Sequence, residues 1–339
     1  RIKAVDAAVE ALLRRKLDKL KELLLFYKPD GSACQPARQG LASNKPEGDG
    51  AASDSRSHSQ NHKKVIVAYS GGVDSSFLLK CCVDFLGKDQ TIAVTAVSPT
   101  YTQKELQTAQ EIAQGLGVSH KIIHTSEVDN PNFKANPQNR CYYCKSELFS
   151  QLQSLAREEG ISFVLDGTNA DDLKDYRPGS LAKKEQGVYS PLAEANFTKE
   201  EIRSASKELG LKTWDAPQMS CLASRFAYGQ EIGLEDLSRI EKAESYIRSL
   251  GFKMVRLRHY RLADETLLAR LEVNKEDIIK IANRKSQIAN RLKKLGYNYI
   301  TLDLEGYRSG SMNIGLLQNV IPAKAGIHKP NKINKKSSP

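Results

Sequence analysis

Between Ala4 and Tyr27 the apolar residues Val9, Leu12, Leu13, Leu17, Leu20, Leu24 and Leu25 recur at helical spacing, with Arg14, Arg15, Lys16 and Lys19 between them. That pattern predicts an amphipathic helix that docks on another surface. From Lys28 to Lys64 the periodicity dissolves into Gly, Ser, Asn, Asp and Pro, which reads as a flexible insert, with Cys34 in it a free surface thiol. At Lys64 the pattern changes. Val65-Ile66-Val67-Ala68 reads as a short buried strand, Val73 to Phe85 as a helix, and strand-like runs follow at Thr91 to Val97, Lys121 to His124 and Ile161 to Leu165, separated by helical stretches. Two of those helices open on capping boxes, Thr102 with Glu105 and Thr198 with Glu201. Alternating strand and helix predicts an α/β fold with a parallel sheet covered on both faces.

Beyond Gly229 the order becomes helix (Leu234 to Leu250), strand (Met254 to His259), strand (Leu267 to Val273), helix (Glu276 to Leu295) and strand (Tyr297 to Asp303), a smaller second α/β domain. The chain thus divides into an N-terminal helix (1–27), an insert (28–63), a nucleotide domain (64–228), a C-terminal domain for substrate or oligomer contacts (229–318) and a tail (319–339). A homo-oligomer is the expected assembly.

Composition changes this picture little. The 339 residues are 40% hydrophobic, enough for a real core, and no run approaches the roughly 20 apolar residues of a membrane span. The start lacks the order of a signal peptide, so a cytoplasmic location is expected; Arg1 in place of Met points to a start further upstream. The formal charge of +11 suggests nucleic acid, yet five of those charges are Lys324, Lys329, Lys332, Lys335 and Lys336, in an acid-free tail that reads as disordered. The remaining excess is modest, and neither nucleic acid nor membrane is expected as a partner.

The first chemical signal is Ser70-Gly71-Gly72-Val73-Asp74-Ser75-Ser76, directly after the first strand and opening a helix. Two glycines let the backbone approach a ligand, free amides and the helix dipole attract phosphate, and the hydroxyls of Ser70, Ser75 and Ser76 add donors. The Gly-Lys-Ser/Thr ending of a Walker loop is absent, as is a Gly-x-Gly-x-x-Gly turn. Asp166-Gly167-Thr168-Asn169-Ala170-Asp171-Asp172 follows the fourth strand, at the carboxyl edge where open α/β sheets bind ligands. There Asp172, with Asp74, is a candidate Mg²⁺ ligand beside the phosphates.

The serine-glycine loop resembles the PP-loop of the ATP pyrophosphatases, which implies ATP as cosubstrate and adenylate formation as the half-reaction. Four further blocks, Asp175-Tyr176-Arg177-Pro178-Gly179, Ser190-Pro191-Leu192, Thr213-Trp214-Asp215-Ala216-Pro217 and Ser220-Cys221-Leu222-Ala223-Ser224-Arg225, together with Val255-Arg256-Leu257-Arg258-His259, are similar in order and spacing to the LarE sulfur transferases. The resemblance runs from about Lys64 to Asp303. It implies Arg177 and Asp172 among the nucleotide contacts, and conversion of a carboxylate of pyridinium-3,5-biscarboxylic acid mononucleotide to a thiocarboxylate, for the nickel-pincer cofactor of lactate racemase-type enzymes. Three features depart from the family pattern: the insert, the tail, and the stretch Tyr260 to Leu268, which is longer than the usual connection. Two other readings stay open, a PP-loop tRNA thiolase and a nucleotide- or redox-sensing protein without turnover.

Cys81 and Cys82 fall among Leu78, Leu79 and Phe85 and read as core. Cys141-Tyr142-Tyr143-Cys144 places two thiols on one side of a helix start, and Cys221 adds a distant third. Three thiolates suit either zinc, which wants a fourth ligand, or an iron–sulfur cluster with one open iron. Within the LarE resemblance, one type holds just the cysteine matching Cys221 and surrenders its sulfur. The other holds all three and resembles 4Fe-4S enzymes, the type this chain matches; the sulfur donor is open. Ser224, Arg225, Arg256 and Arg258 are the candidates for the substrate's phosphate, since guanidinium forks match phosphate oxygens and alternate strand residues share a face.

Overall fold

The computed structural model describes residues 2–27, 64–173, 179–217, 220–308 and 310–313. The insert, the tail, Cys34 and Arg177 lie outside the described residues. Four strands, β1 (Val65–Ala68), β2 (Thr91–Val97), β3 (Ser119–His124) and β4 (Phe163–Asp166), form an all-parallel sheet in the order β3-β2-β1-β4. The chain winds outward from β1 through β2 to β3, then returns to the other side of β1. The order reverses between β1 and β4, the point where parallel sheets open a ligand crevice at their carboxyl ends.

Strand alternation builds the two faces. Val65 and Val67 point into a core closed by the helices Ile2–Phe26, Val73–Leu86 and Lys199–Glu208, while Ile66, with Ile92 and Val94, meets Phe149, Leu152 and Ala156 of the helix Arg140–Glu158. The expected docking of the first helix is observed: Leu13, Leu20, Leu24 and Tyr27 are buried, whereas Leu12 and Leu25 turn outward. Cys81 and Cys82 are core residues, as expected. Both capping boxes form, each with the Ser/Thr-side and Glu-side bonds in place. The fourth strand starts two residues later than the apolar run suggests. Gly160 at φ +64° and the bond from Ile161 N to Ala156 O close the preceding helix, and that turn consumes the first residues of the run.

The second sheet, β5 (Val255–Arg261), β6 (Leu267–Val273) and β7 (Tyr299–Leu302), pairs β5 antiparallel and β7 parallel to β6. Leu237, Ile240, Ala243 and Ile247 of the helix Leu234–Ser249 pack on Val255, Leu257, Ala269 and Leu271. The same core includes Val128, Phe133, Leu222, Ala223 and Phe226, which precede the sheet in sequence. The long stretch from Tyr260 to Leu268 is strand at both ends: pairing continues to Arg261 with Leu267, so the extra residues lengthen a hairpin closed by the turn at 262–266. The expected helix from Glu276 to Leu295 is divided into Ile278–Ala282 and Lys285–Lys294, with Arg284 between them donating to Leu250 O.

Candidate active site

The loop after β1 enters a helix whose start carries no side-chain cap; Gly72 is its N-cap residue. The serines do not take the first amides of the helix, although Ser75 Oγ accepts from Ser70 N (3.3 Å). Ser75 Oγ donates to Gly72 O (3.2 Å) and pairs with Ser70 Oγ (3.2 Å), which braces the loop and leaves the first helical N–H groups for an anion. Gly71 sits at φ +70°, where a Cβ would lie 3.0 Å from Ala109 Cβ, so both backbone and packing demand glycine. At Gly167 a Cβ would stand 2.9 Å from Ser75 N. Its absence lets the loop after β4 lie directly against the phosphate loop.

Those two loops meet through side chains. Asn169 Nδ2 donates to Asp74 Oδ1 (3.3 Å), Asn169 N donates to Asp172 Oδ2 (3.2 Å), and Asn169 Oδ1 accepts from the amides of Asp171 and Asp172. Lys199 Nζ pairs with Asp74 Oδ2, and Lys199 N donates to Asp171 Oδ2 (2.9 Å). Lys199 and Asn169 are site residues that sequence reading missed. A signal was present for the lysine: it follows the capping residue Thr198 directly, at a helix start where a cation opposes the dipole. Asp74 and Asp172 are brought to one crevice, as expected. Among the described residues no three His, Cys, Asp or Glu side chains form a set for one ion, but Mg²⁺ commonly takes one or two carboxylates and completes its shell with phosphates and water.

Two adjacent residues after β2 join this loop to the cysteine turn. Tyr101 OH donates to Ser70 O (2.8 Å), and Thr100 O accepts from Leu222 N (2.9 Å). Cys221 is the N-cap residue of the short turn Leu222–Arg225, and Cys141 and Cys144 lie one turn apart on the helix Arg140–Glu158. The three thiols are near enough to act on one another electrostatically. Burial pushes Cys144 up to about 12, with Glu127 and the other two cysteines adding to it against Lys145. Cys221 has exposed surface, yet the protein atoms around it raise its thiol through lost hydration; Arg140 and Arg225 pull the other way. Both shifts favour the neutral thiol in the free protein, against the thiolate expected from the helix start, so the three sulfurs fit a soft metal centre by donor type alone, and among the described residues the side chains as they stand do not form one.

On the far side of the turn lies a cavity lined by Arg140, Ser224, Tyr228, Arg256, Arg258 and Tyr307, among others. The four phosphate candidates separate here. Arg225 is fully buried and grips Glu244 with Nε and Nη2 at 2.8 and 2.9 Å, so its charge is already answered. Arg258 reaches the cavity while pairing with Glu272 (2.7 Å) and donating to Ser224 O (3.0 Å). Arg256 is different. Burial and repulsion from Arg225 hold its guanidinium down at about 10, against the pull of Glu244 and Tyr307. Glu244 and Glu272, both without exposed surface, are further residues that no local pattern announced.

A phosphate loop at a topological switch point, an Asp–Lys pair across it and a thiol turn tied to it define the class, an ATP-using PP-loop domain with a cysteine-bearing turn beside it. A family model described as NAD synthase matches residues 54–149. The chain is 37% identical over 251 residues, 74% of this chain and 89% of the relative, to a pyridinium-3,5-bisthiocarboxylic acid mononucleotide synthase of Lactiplantibacillus plantarum. It therefore belongs to that protein's family, the LarE family. It is also 48% identical over 252 residues, 74% of this chain and 92% of the relative, to the protein slr1717 of Synechocystis. A tRNA-specific 2-thiouridylase of Desulforamulus reducens is 26% identical over 195 residues, 46% of this chain and 53% of that protein. Among the described residues no helix is long and apolar enough to cross a membrane.

Proposed function

We propose that the protein adenylates a carboxylate of pyridinium-3,5-biscarboxylic acid mononucleotide with ATP and converts it to a thiocarboxylate, for a nickel-pincer cofactor. One observation carries this beyond the family: Thr100 and Tyr101 bond the cysteine turn and the phosphate loop from neighbouring positions, so nucleotide and sulfur sites are braced together.

In this reading the amides after Gly72 hold the pyrophosphate part of ATP, and Asp74 with Asp172 holds Mg²⁺ against it. Lys199 neutralises phosphate charge as bonds rearrange. A substrate carboxylate oxygen attacks the α-phosphorus, the bond to the bridging oxygen breaks, and pyrophosphate leaves. Arg256 and Arg258 anchor the substrate's own phosphate, keeping the acyl carbon by the cysteine turn. Sulfur then replaces AMP on that carbon. Cys141, Cys144 and Cys221 would hold a 4Fe-4S cluster, which when bound supplies transferable sulfide; the alternative source is Cys221 itself.

The test is pyrophosphate release by anaerobically purified protein, expected with the pyridinium dicarboxylate mononucleotide and absent with tRNA. Release that ignores the pyridinium compound sinks the substrate assignment. Four irons per chain, lost in Cys141→Ala, Cys144→Ala or Cys221→Ala, support the cluster. Loss of about 34 Da from Cys221, with sulfur transfer intact in Cys141→Ala and Cys144→Ala, replaces it with single-use sacrifice of Cys221 to dehydroalanine.

A further inference from the structure

We infer that Arg140 recognises a carboxylate of the substrate, at the junction of the arginine-lined cavity and the cysteine turn. The inference rests on the pyridinium carboxylate reading above and adds to it the group that reads the acid itself.

Arg140 is the first residue of its helix and directly precedes Cys141. It lines the cavity, yet its exposure is 6%. A guanidinium so placed is costly twice over, because it is desolvated and because the positive end of a helix dipole repels it. Arg225 and Arg258 meet similar burial with Glu244 and Glu272. No carboxylate of the described residues pairs with Arg140. Its Nη1 donates to Asn136 Oδ1 and to Ala223 O (3.0 Å), both neutral acceptors, and its buried Nε–H has no acceptor among the described residues. An unanswered buried charge of this kind is destabilising unless a ligand completes it.

The surroundings hold the guanidinium in place. Asn136 is fully buried in the left-handed region at φ 53°, its Nδ2 donates to Ala227 O (2.7 Å), and its carbonyl accepts from Gly229 N (3.0 Å). With its own N also donating to Phe133 O (2.9 Å), an asparagine in the left-handed region fixed at three points is a rigid backstop for the arginine. Ala223 O belongs to the turn that Cys221 opens, so the bond from Nη1 sets the guanidinium directly beside the sulfur site. Arg256 and Arg258 come from β5, on the second-sheet side of the same cavity. A mononucleotide phosphate on those two leaves the ring acid facing Arg140.

The experiment is equilibrium binding of two probes that differ in one group, nicotinate mononucleotide and nicotinamide mononucleotide, to the full chain by titration calorimetry. The wild-type chain is expected to prefer the acid by about tenfold or more, as for one charge-assisted bond. In Arg140→Gln the preference disappears while amide binding stays within about threefold, and that retained affinity shows the variant is folded. Arg140→Lys, which keeps charge but loses the planar fork, is expected to keep part of the preference. Arg256→Gln weakens both probes alike. Undiminished preference in Arg140→Gln and Arg140→Lys overturns the Arg140 assignment alone. Failure of both probes to bind wild type overturns it together with the pyridinium reading.

Discussion

At the carboxyl edge of the parallel sheet the groups that the proposed reading offers to phosphate are backbone amides at an uncapped helix start, with the Asp74–Lys199 pair across them. On the second sheet they are guanidiniums, and the region carries buried carboxylates to hold them: Glu244 serves Arg225 and Arg248, and Glu272 serves Arg258 and Arg270. Amide dipoles need no counter-ion and cost little to bury when bonded, so the first site is cheap and local. Guanidiniums must be desolvated and paired, so the second depends on long-range partners and puts its stability at stake for its charge. The same ligand group is thus met by two designs with opposite vulnerabilities: changes in the first should cost chemistry, and changes in the second should cost the fold.

The largest effect should come from Asp74→Asn. It removes the carboxylate that faces Lys199 and Asn169 while leaving the core untouched. Pyrophosphate release should fall by about 10³-fold, the scale for loss of a metal- or charge-organising group, with an unchanged melting temperature. A near-normal rate would remove the phosphate loop from the mechanism. Glu244→Gln should do the reverse, costing roughly 3–5 kcal/mol in denaturant unfolding because Arg225 is left buried without its charge partner. If stability holds and only substrate affinity drops, the contrast between the two regions is wrong.

Acid should expose the same asymmetry. Burial alone would raise Glu244, but Arg225, with Arg248 and Arg256, outweighs it and takes the carboxyl from 4.5 to about 2. Asp236 falls from 3.8 to about 2, against its own burial, through His259, Arg261 and Arg239. A carboxyl depressed in the folded state binds fewer protons there than when unfolded, so its stabilisation is full above its ordinary value and is lost as pH falls toward 2. Hydrogen exchange should therefore show β5 and β6 opening between about pH 4.5 and 2 before β1 and β2 do. Simultaneous opening of both sheets would mean that the ion pairs do not set the acid limit.

The same division explains what the sequence disclosed. β1, the phosphate loop, both capping boxes and the α/β order are written in neighbouring residues, and the apolar periodicity located β2 to the residue. Lys199 lies 125 positions from Asp74, Asn169 lies 95 from it, and Glu272, set opposite Arg256 by the strand register, reaches Arg258 diagonally. Pairings of this kind leave no local period. Arg225 shows the converse failure: an arginine in a motif looks available for phosphate, and nothing nearby in sequence tells that Glu244, on another helix, already holds it.

The smallest effect concerns two glycines that look alike in sequence. Gly71 sits at φ +70° against Ala109, so Gly71→Ala must both enter the left-handed region, at about 1–2 kcal/mol, and push back the helix Gln103–Gly115. Gly72 has φ −75°, and a Cβ there meets only Ser70 Oγ at 3.4 Å. We therefore expect Gly71→Ala to raise the ATP requirement for pyrophosphate release by about tenfold, as that strain implies, and Gly72→Ala to change it less than about threefold. Equal losses would show that phosphate, not Ala109, is what approaches Gly72 too closely for a side chain. In that case the amide cradle reaches one residue further into the loop than the protein's own packing requires, and the nucleotide itself imposes the second glycine.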